Sequence, residues 1–309
     1  MNRAEGKIRL SKIMERFIAL SCTHLPDDVV EALKNAANKE TDDMQKSIYD
    51  AYFRNLDQAK TLNRPCCQDT GILHFYITAG SDFPYLSVVE ESLNIAVKNA
   101  TQSVPLRQNA VNFFEEKNTG DNTGQRTPWI HWDLVPDNDK LDIITFFSGA
   151  GCSLPGNSKV FKPSDGYETI VQAVFDTVSD LGLNACPPLV IGVGLGTNVE
   201  NAAVLSKKAY LRPIGSRNEN KKAAALEDAL LQGLNNMGIG AQGLRGNTAA
   251  LDVHIEASAR HTANIAVAVN VSCYTHRRGV IHFDRNLSYK VDNYINAYEY
   301  MNMSERESI

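Results

Sequence analysis

The spacing of apolar residues changes once along this chain, and that change limits the folds open to it. Leu10, Ile13, Met14, Phe17 and Ile18 recur at the 3.6-residue period of an amphipathic helix, and residues from about Arg9 to Leu62 read as helical throughout. Within that region "THLPDDVVEALKNAANKE" carries a helix start at Pro26-Asp27-Asp28, where acidic groups suit the positive end of the helix dipole. Beyond it the apolar residues come in short runs. "ILHFYIT", "WIHWDLV", "KLDIITFF" and "PPLVIGVGLG" read as strands, as do "ALDVHIEAS", "TANIAVAVNVS" and "GVIHFDRNLSY" near the end. Between them "LSVVEESLNIAVKNATQ", "NVENAAVLSKKAY" and "NKKAAALEDALLQGLNNMG" read as helices, and "SDGYETIVQAVFDTVSDLG" as a capped helix stopped by Gly182. The glycine-rich "SGAGCSLPGNSK" reads as a loop. The expectation is an α/β (α+β) fold, with an N-terminal helical layer over about 1–62 followed by mixed β-sheets flanked by helices. No repeat or low-complexity linker interrupts it, so a single domain over 1–309 is expected, long enough for a substantial core.

The formal net charge of −5 leaves no basic field to draw in nucleic acid or an anionic membrane. An anionic ligand would have to be met by individual arginines. No apolar run approaches the roughly 18 residues of a membrane-spanning helix. "MNRAEGKIRLSKIMERF" lacks the apolar stretch and cleavage site of a signal peptide. The expectation is a cytoplasmic protein in a reducing compartment, where cysteines are free thiols or metal ligands rather than disulfides.

Cysteines occupy positions 22, 66, 67, 152, 186 and 273. Three sites, "PCCQDTG", "NACPP" and "VSCYTHRRG", lie where strands meet glycine- or proline-rich turns. They are single thiols far apart, not the C-x2-C pairs of a zinc finger. Three thiolates on separate loops suit a [4Fe–4S] cluster with one iron left without a protein ligand, able to act as a Lewis acid on a substrate hydroxyl. Spacing alone favours the plainer alternative, buried structural cysteines. "GVGLG" lacks the third glycine and the acidic residue of a dinucleotide site and is read as strand-to-helix packing.

Taken together, "CQDTG", "SGAGCSLPGNSK", "NACPPLVIGVG", "LGTNVENAAVLSKKA", "GIGAQGL" and "ARHTANIAVAVNVSCYTHRRG" resemble the α-type catalytic chain of iron–sulfur hydro-lyases. That family holds the class I fumarases and the L(+)-tartrate dehydratases. "PDDVVEALK", "LNRPCCQDTG", "PLRQNAV" and "LRPIGSR" are most similar to its tartrate-dehydrating members. The resemblance implies a [4Fe–4S] cluster held by Cys67, Cys186 and Cys273. Cys67 precedes Gln-Asp-Thr-Gly as the family's ligand does, which leaves Cys66 as a core residue. If the segment is extended, Cys67 and Asp69 also share a face that Cys66 does not. Cys152, where class I fumarases have a serine, belongs to the glycine-rich loop, and Cys22 is structural.

The same resemblance implies roles for other side chains. Asp69 would transfer a proton or orient water, against the alternative of a turn-stabilising Asp. Gln68 would donate to substrate, and Arg107 would grip a carboxylate through its bidentate fork. Gly151, in the loop Gly149-Ala150-Gly151, would offer backbone N–H groups to the other carboxylate. His261 would line the pocket or else be a core or interface histidine, while His276 and Arg277 would support the ligands. Single-chain relatives continue into a second domain with a G-P-T-T motif that is absent here. The resemblance therefore implies a β subunit completing the active site, in an α2β2 heterotetramer acting on a four-carbon dicarboxylate. The implied reaction is dehydration of (2R,3R)-tartrate. Fumarate hydration, a non-catalytic iron–sulfur protein and an ordinary globular protein with buried thiols are the alternatives.

Overall fold

The computed structural model of the chain describes residues 1–303. In chain order the elements begin with helices α1 (Arg3–Thr23), α2 (Asp27–Lys39) and α3 (Asp43–Thr61), strand β1 (Ile72–Gly80) and helix α4 (Val89–Ser103). Strands β2 (Val111–Asn112), β3 (Lys117–Asn118), β4 (Trp129–Val135) and β5 (Leu141–Ser148) follow, then the one-turn helix α5 (Ala150–Ser153), strand β6 (Asn157–Phe161) and helix α6 (Glu168–Leu181). The remainder is β7 (Leu189–Gly196), α7 (Val199–Tyr210), α8 (Lys221–Asn235), β8 (Ala250–Ala257), β9 (Ile265–Ser272), β10 (Arg278–Phe283), β11 (Tyr289–Asp292) and α9 (Ala297–Met303). The α/β class with mixed sheets and an N-terminal helical region is as expected from the sequence.

The chain divides into two compact units, crossing between them several times. The first comprises Met1–Asp27, Asn55–Gly149 and the segment from Arg277 onward, and the second Asp28–Arg54 and Ala150–His276. In the first unit a five-stranded sheet runs β11-β10-β5-β1-β4, with β1 and β4 parallel and the other pairs antiparallel. Helix α1 is started by a capping box, in which Asn2 and Glu5 each accept from the other's backbone N–H. Its apolar stripe of Leu10, Met14, Phe17 and Ile18 is fully buried with Val89, Leu93 and Val97 of α4 and with Leu73, Phe75 and Ile77 of β1. Alternation along β1 puts those three residues on one face of the sheet.

In the second unit the sheet order is β6-β9-β7-β8, with β7 and β8 parallel and the others antiparallel. Leu189, Ile191 and Val193 of β7 face Val174 and Val178 of α6 and Leu230 and Leu234 of α8. Gly192 and Gly194 alternate to the other face, where a Cβ would overlap the carbonyl oxygens of Ser206 and Ala202 on α7. The "GVGLG" glycines thus serve helix-on-sheet packing, as read. Arg212 and Arg217 of "LRPIGSR" pair with buried Glu227 (2.8 Å) and Asp252 (2.9 Å), which makes them supports of this unit.

Two local readings change. "NSKVF" in the glycine-rich segment forms edge strand β6, because β9 offers it a ladder that sequence cannot reveal. "GVIHFDRNLSY" is a hairpin of β10 and β11 rather than one strand, turned by Asp284, whose carboxylate accepts from Asn286 and Ser288 backbone N–H groups. Gly182 ends its helix as read: α6 closes at Leu181 with Gly182 as the C-cap residue, right-handed, and the chain tightens into a 3-10 turn over Gly182–Ala185 that leaves Cys186 left-handed.

Candidate functional site

In the first unit the "NRPCCQDTG" segment links α3 to β1. Cys66 is 1% exposed. Its N–H donates to the carbonyl of Cys22 (3.1 Å) and its carbonyl accepts from Asn55 (2.8 Å), so it is tied into the core. Cys67 is half-buried. Residues 66–68 are bends, not extended chain, so strand alternation does not apply; the turn itself separates the two thiols. The Asp69 carboxylate accepts from the Gly71 N–H (3.0 Å) and from Asn109 (3.3 Å). The first is the turn-stabilising bond expected of an Asp at this position. The carbonyl of Asp69 accepts from the buried guanidinium of Arg277 (2.8 Å), which also lies over the Phe147 ring. Burial pushes the neighbouring Cys22 thiol up to about 11 despite the Arg277 charge.

The next turn is locked to this one. The buried Thr70 hydroxyl accepts from the Arg107 N–H (3.1 Å). Buried Asn122 accepts from the Asn109 N–H (2.8 Å) and donates to the Arg107 carbonyl (3.0 Å). The backbone of Arg107 is therefore held rigidly beside Asp69, while the Arg107 and Gln68 side chains stand in solvent. Thr70, Asn109 and Asn122 were not singled out from sequence. Their only signal is a set of short polar residues in "QDTG", "RQNAV" and "GDNTG".

In the second unit, β7 and β9 are antiparallel, with Val190 opposite Ser272. The residue entering β7 and the residue leaving β9 therefore meet at one end of the sheet, and these carry Cys186 and Cys273. The Tyr274 N–H reaches the carbonyl of Cys186 at 3.4 Å. Cys186 is exposed and held at φ 53° and ψ 78°. Cys273 is buried, with its sulfur 3.0 Å from the Thr275 hydroxyl.

Tyr52 of α3 ties the two cysteine turns together. Its ring stacks on Tyr274 at 3.7 Å, and its hydroxyl donates to the carbonyl of Pro187 (3.1 Å) and accepts from Gln242 (2.6 Å). Burial raises the pKa of this hydroxyl, the Gln242 bond opposes the rise, and charge on Cys186 and Cys273 adds to it. Both thiols thus lie within electrostatic reach of one phenol. Sequence reading missed Tyr52 and Gln242, for they lie 135 residues before and 55 after Pro187 of the cysteine-bearing "NACPP" turn and carry no motif.

The remaining expected residues take the following places. Gly151 is packed so closely that a Cβ would overlap the Asn184 carbonyl, in the turn that leads to Cys186. Cys152 belongs to the apolar core of the second unit. His276 is fully buried, bonded to the Ser272 hydroxyl (2.8 Å) and edge-on to Tyr210. His261 is exposed in the loop entering β9, accepting from the Ala263 N–H (3.0 Å). The full length of β9, about 25 Å at some 3.3 Å per residue, separates that loop from Cys273. Among the described residues no group of three or more His, Cys, Asp or Glu side chains forms a ready metal site, and no helix is long and apolar enough to cross a membrane.

Comparison with known proteins adds to this geometry. The chain is 50% identical over 289 residues to L(+)-tartrate dehydratase subunit alpha of Escherichia coli (strain K12), covering 94% of this chain and 95% of that one. The corresponding protein of Shigella boydii serotype 4 matches to the same extent. A protein of Methanocaldococcus jannaschii described as putative L(+)-tartrate dehydratase subunit alpha is 36% identical over 276 residues, covering 88% of this chain and 97% of that one. The family model described as fumarate hydratase (Fumerase) matches residues 11–282, a span that takes in Cys67, Asp69, Arg107, Cys186 and Cys273, and the chain belongs to that family.

Proposed function

We propose that this chain is the α-type catalytic subunit of a [4Fe–4S] hydro-lyase that converts (2R,3R)-tartrate to oxaloacetate and water. The observation that carries the reading is that the turns bearing Cys186 and Cys273 lie side by side at one end of the β7–β9 ladder, joined by the Tyr274 N–H to Cys186 carbonyl contact, in a chain 50% identical to an L(+)-tartrate dehydratase α subunit. The donor set suits the cluster, with three thiols on separate turns: Cys186 exposed, Cys67 half-buried and Cys273 buried beside the Thr275 hydroxyl. Cys67, Cys186 and Cys273 would hold three irons. When bound, the cluster supplies a Lewis-acidic iron for the leaving hydroxyl.

The chain's own groups do the rest of the binding. Arg107, on a backbone pinned by Thr70 and Asn122, offers a bidentate fork to one carboxylate. The Gly149-Ala150-Gly151 backbone offers N–H groups to the other, and Gln68 donates to substrate. Asp69, oriented by Gly71 and Asn109, holds or passes a proton at its carboxylate. Loss of hydroxide from one hydroxyl-bearing carbon and of a proton from its neighbour leaves an enol, which tautomerises to oxaloacetate. The residues 1–309 act in this reading as one catalytic domain of a cytoplasmic enzyme. A β subunit supplies the base and the remaining carboxylate-binding groups in an α2β2 heterotetramer. No nucleic acid or membrane takes part.

Fumarate hydration is the second reading, favoured by the description of the matching family model. Both are tested by one experiment: anaerobic reconstitution of the chain with its β subunit, followed by assay against the tartrate stereoisomers, malate and fumarate. The highest kcat/KM for (2R,3R)-tartrate is expected. A preference for malate or fumarate replaces the first reading with the second, and no turnover of any four-carbon diacid overturns both.

A further inference from the structure

Among the described residues strand β4 is the edge of the first unit's sheet, paired with β1 alone. Its sequence is WIHWDLV, and Trp129, Trp132 and Leu134 are 52%, 38% and 63% exposed. Proteins blunt open edges with short strands, charges or bulges, because a long apolar edge recruits other chains. The opposite edge follows that rule, since β11 is the four-residue YKVD, with Lys290 and Asp292 paired across it at 2.8 Å. β4 does not: it is seven residues long and mostly apolar.

We propose that β4 is the surface through which two copies of this chain associate, pairing antiparallel about a two-fold axis at Trp132. The hydrogen-bonding phase of the strand supports this register. The Ser81 N–H donates to the Val135 carbonyl at 2.9 Å, which turns Val135 toward β1. In a parallel ladder, alternate residues direct both backbone groups to the same side. Trp129, His131 and Asp133 therefore also face β1, and Ile130, Trp132 and Leu134 direct their N–H and C=O groups to the open edge. Antiparallel pairing requires outward residues to meet outward residues. With the axis at Trp132, Trp132 meets its own copy and Ile130 meets Leu134, so each such pair is of the hydrogen-bonded kind.

The side chains fit the same register. Trp129 falls opposite Val135, and His131 falls opposite Asp133 of the second copy, twice per dimer. Within one chain His131 already lies 3.5 Å from Asp133, so the two dyad-related pairs form a four-residue cluster of alternating donors and acceptors. Sequence order around Trp132 is thus self-complementary: apolar, apolar, basic, axis, acidic, apolar, apolar. This complementarity selects a second copy over an unrelated strand. The pairing would join two five-stranded sheets into one of ten strands.

The test is sedimentation velocity of the full chain, alone and with its β subunit, over micromolar concentrations under reducing conditions. The chain alone is expected to sediment as a dimer. Trp132→Lys sets two ammonium groups against each other on the axis and is expected to give monomers. His131→Asp places like charges opposite each other twice and is expected to weaken dimerisation about tenfold or more. The exchange His131→Asp with Asp133→His restores the pairing and is expected to return it to within about twofold. A variant that simply fails to fold is recognised by circular dichroism, and the exchange variant keeps the register testable. A wild-type chain that stays monomeric, or an exchange variant no better than His131→Asp, overturns the proposal. Loss of β-subunit binding in Trp132→Lys, with a monomeric wild-type chain, assigns the edge to that subunit instead and equally overturns it. None of these outcomes depends on turnover, so the catalytic reading stands or falls separately.

Discussion

At the residue scale, neighbours in sequence part company in environment. Cys66 and Cys67 are adjacent, yet one is bonded through its backbone to Cys22 and Asn55 while the other reaches solvent. Cys67→Ser, Cys186→Ser and Cys273→Ser are each expected to abolish the visible absorbance and reduce the iron content of the reconstituted protein. Cys66→Ser and Cys22→Ser should keep both. A normal iron content in Cys67→Ser with loss in Cys66→Ser would reverse the assignment. Arg107→Lys replaces a bidentate fork with a point charge, and kcat/KM with the diacid is expected to fall about tenfold or more; an unchanged value removes Arg107 from the site. Tyr52→Phe removes the bonds to Pro187 and Gln242 but keeps the stack on Tyr274. Urea denaturation should register a loss of about 1–2 kcal/mol for it, and a variant of wild-type stability would show that the hydroxyl is no brace.

At the element scale, register decides more than propensity does. Asp142 of β5 and Asp292 of β11 hold the two nitrogens of His282 on β10, at 2.8 and 2.9 Å. Partial burial works against the charged ring, but the hydrogen bonds it donates to both carboxylates outweigh it and raise the His282 pKa. A raised folded-state pKa stabilises fully below the unfolded value, near 6.5, and the contribution is lost as pH rises through the folded value. Because the ring is more than a third exposed, water screens the pair and the effect is small. Tm is therefore expected to decline as pH rises above neutral, and His282→Gln should flatten that slope; an unaltered slope would place the titration elsewhere. On the other sheet, Gly192→Ala would drive a methyl group into the α7 backbone. It is expected to cost about 3 kcal/mol or more in urea denaturation, far beyond what a solvent-facing strand glycine would show.

At the scale of the whole molecule, the candidate ligands are divided between the two units, with Cys67 in the first and Cys186 and Cys273 in the second. The isolated chain, loaded anaerobically, is expected to be inactive and to gain turnover only with its β subunit. A positioned proton acceptor is commonly worth roughly 10²–10⁴-fold, and full turnover by the chain alone would defeat the split-site reading. The sequence by itself determined the element types, because helix and strand are written in short-range periods of burial, and it marked Cys67, Asp69, Arg107, Cys186 and Cys273 through local motifs. Tertiary structure alone decided which of those residues meet. Cys186 and Cys273 come together because β7 and β9 run antiparallel, and His261 is carried away from them by the length of the same strand. The Tyr52 brace depends on partners 135 and 190 residues away. β6 exists only because β9 supplies its ladder. In each case the deciding energy is a long-range hydrogen bond or an apolar contact, and its partner is not specified by the residues nearby in sequence.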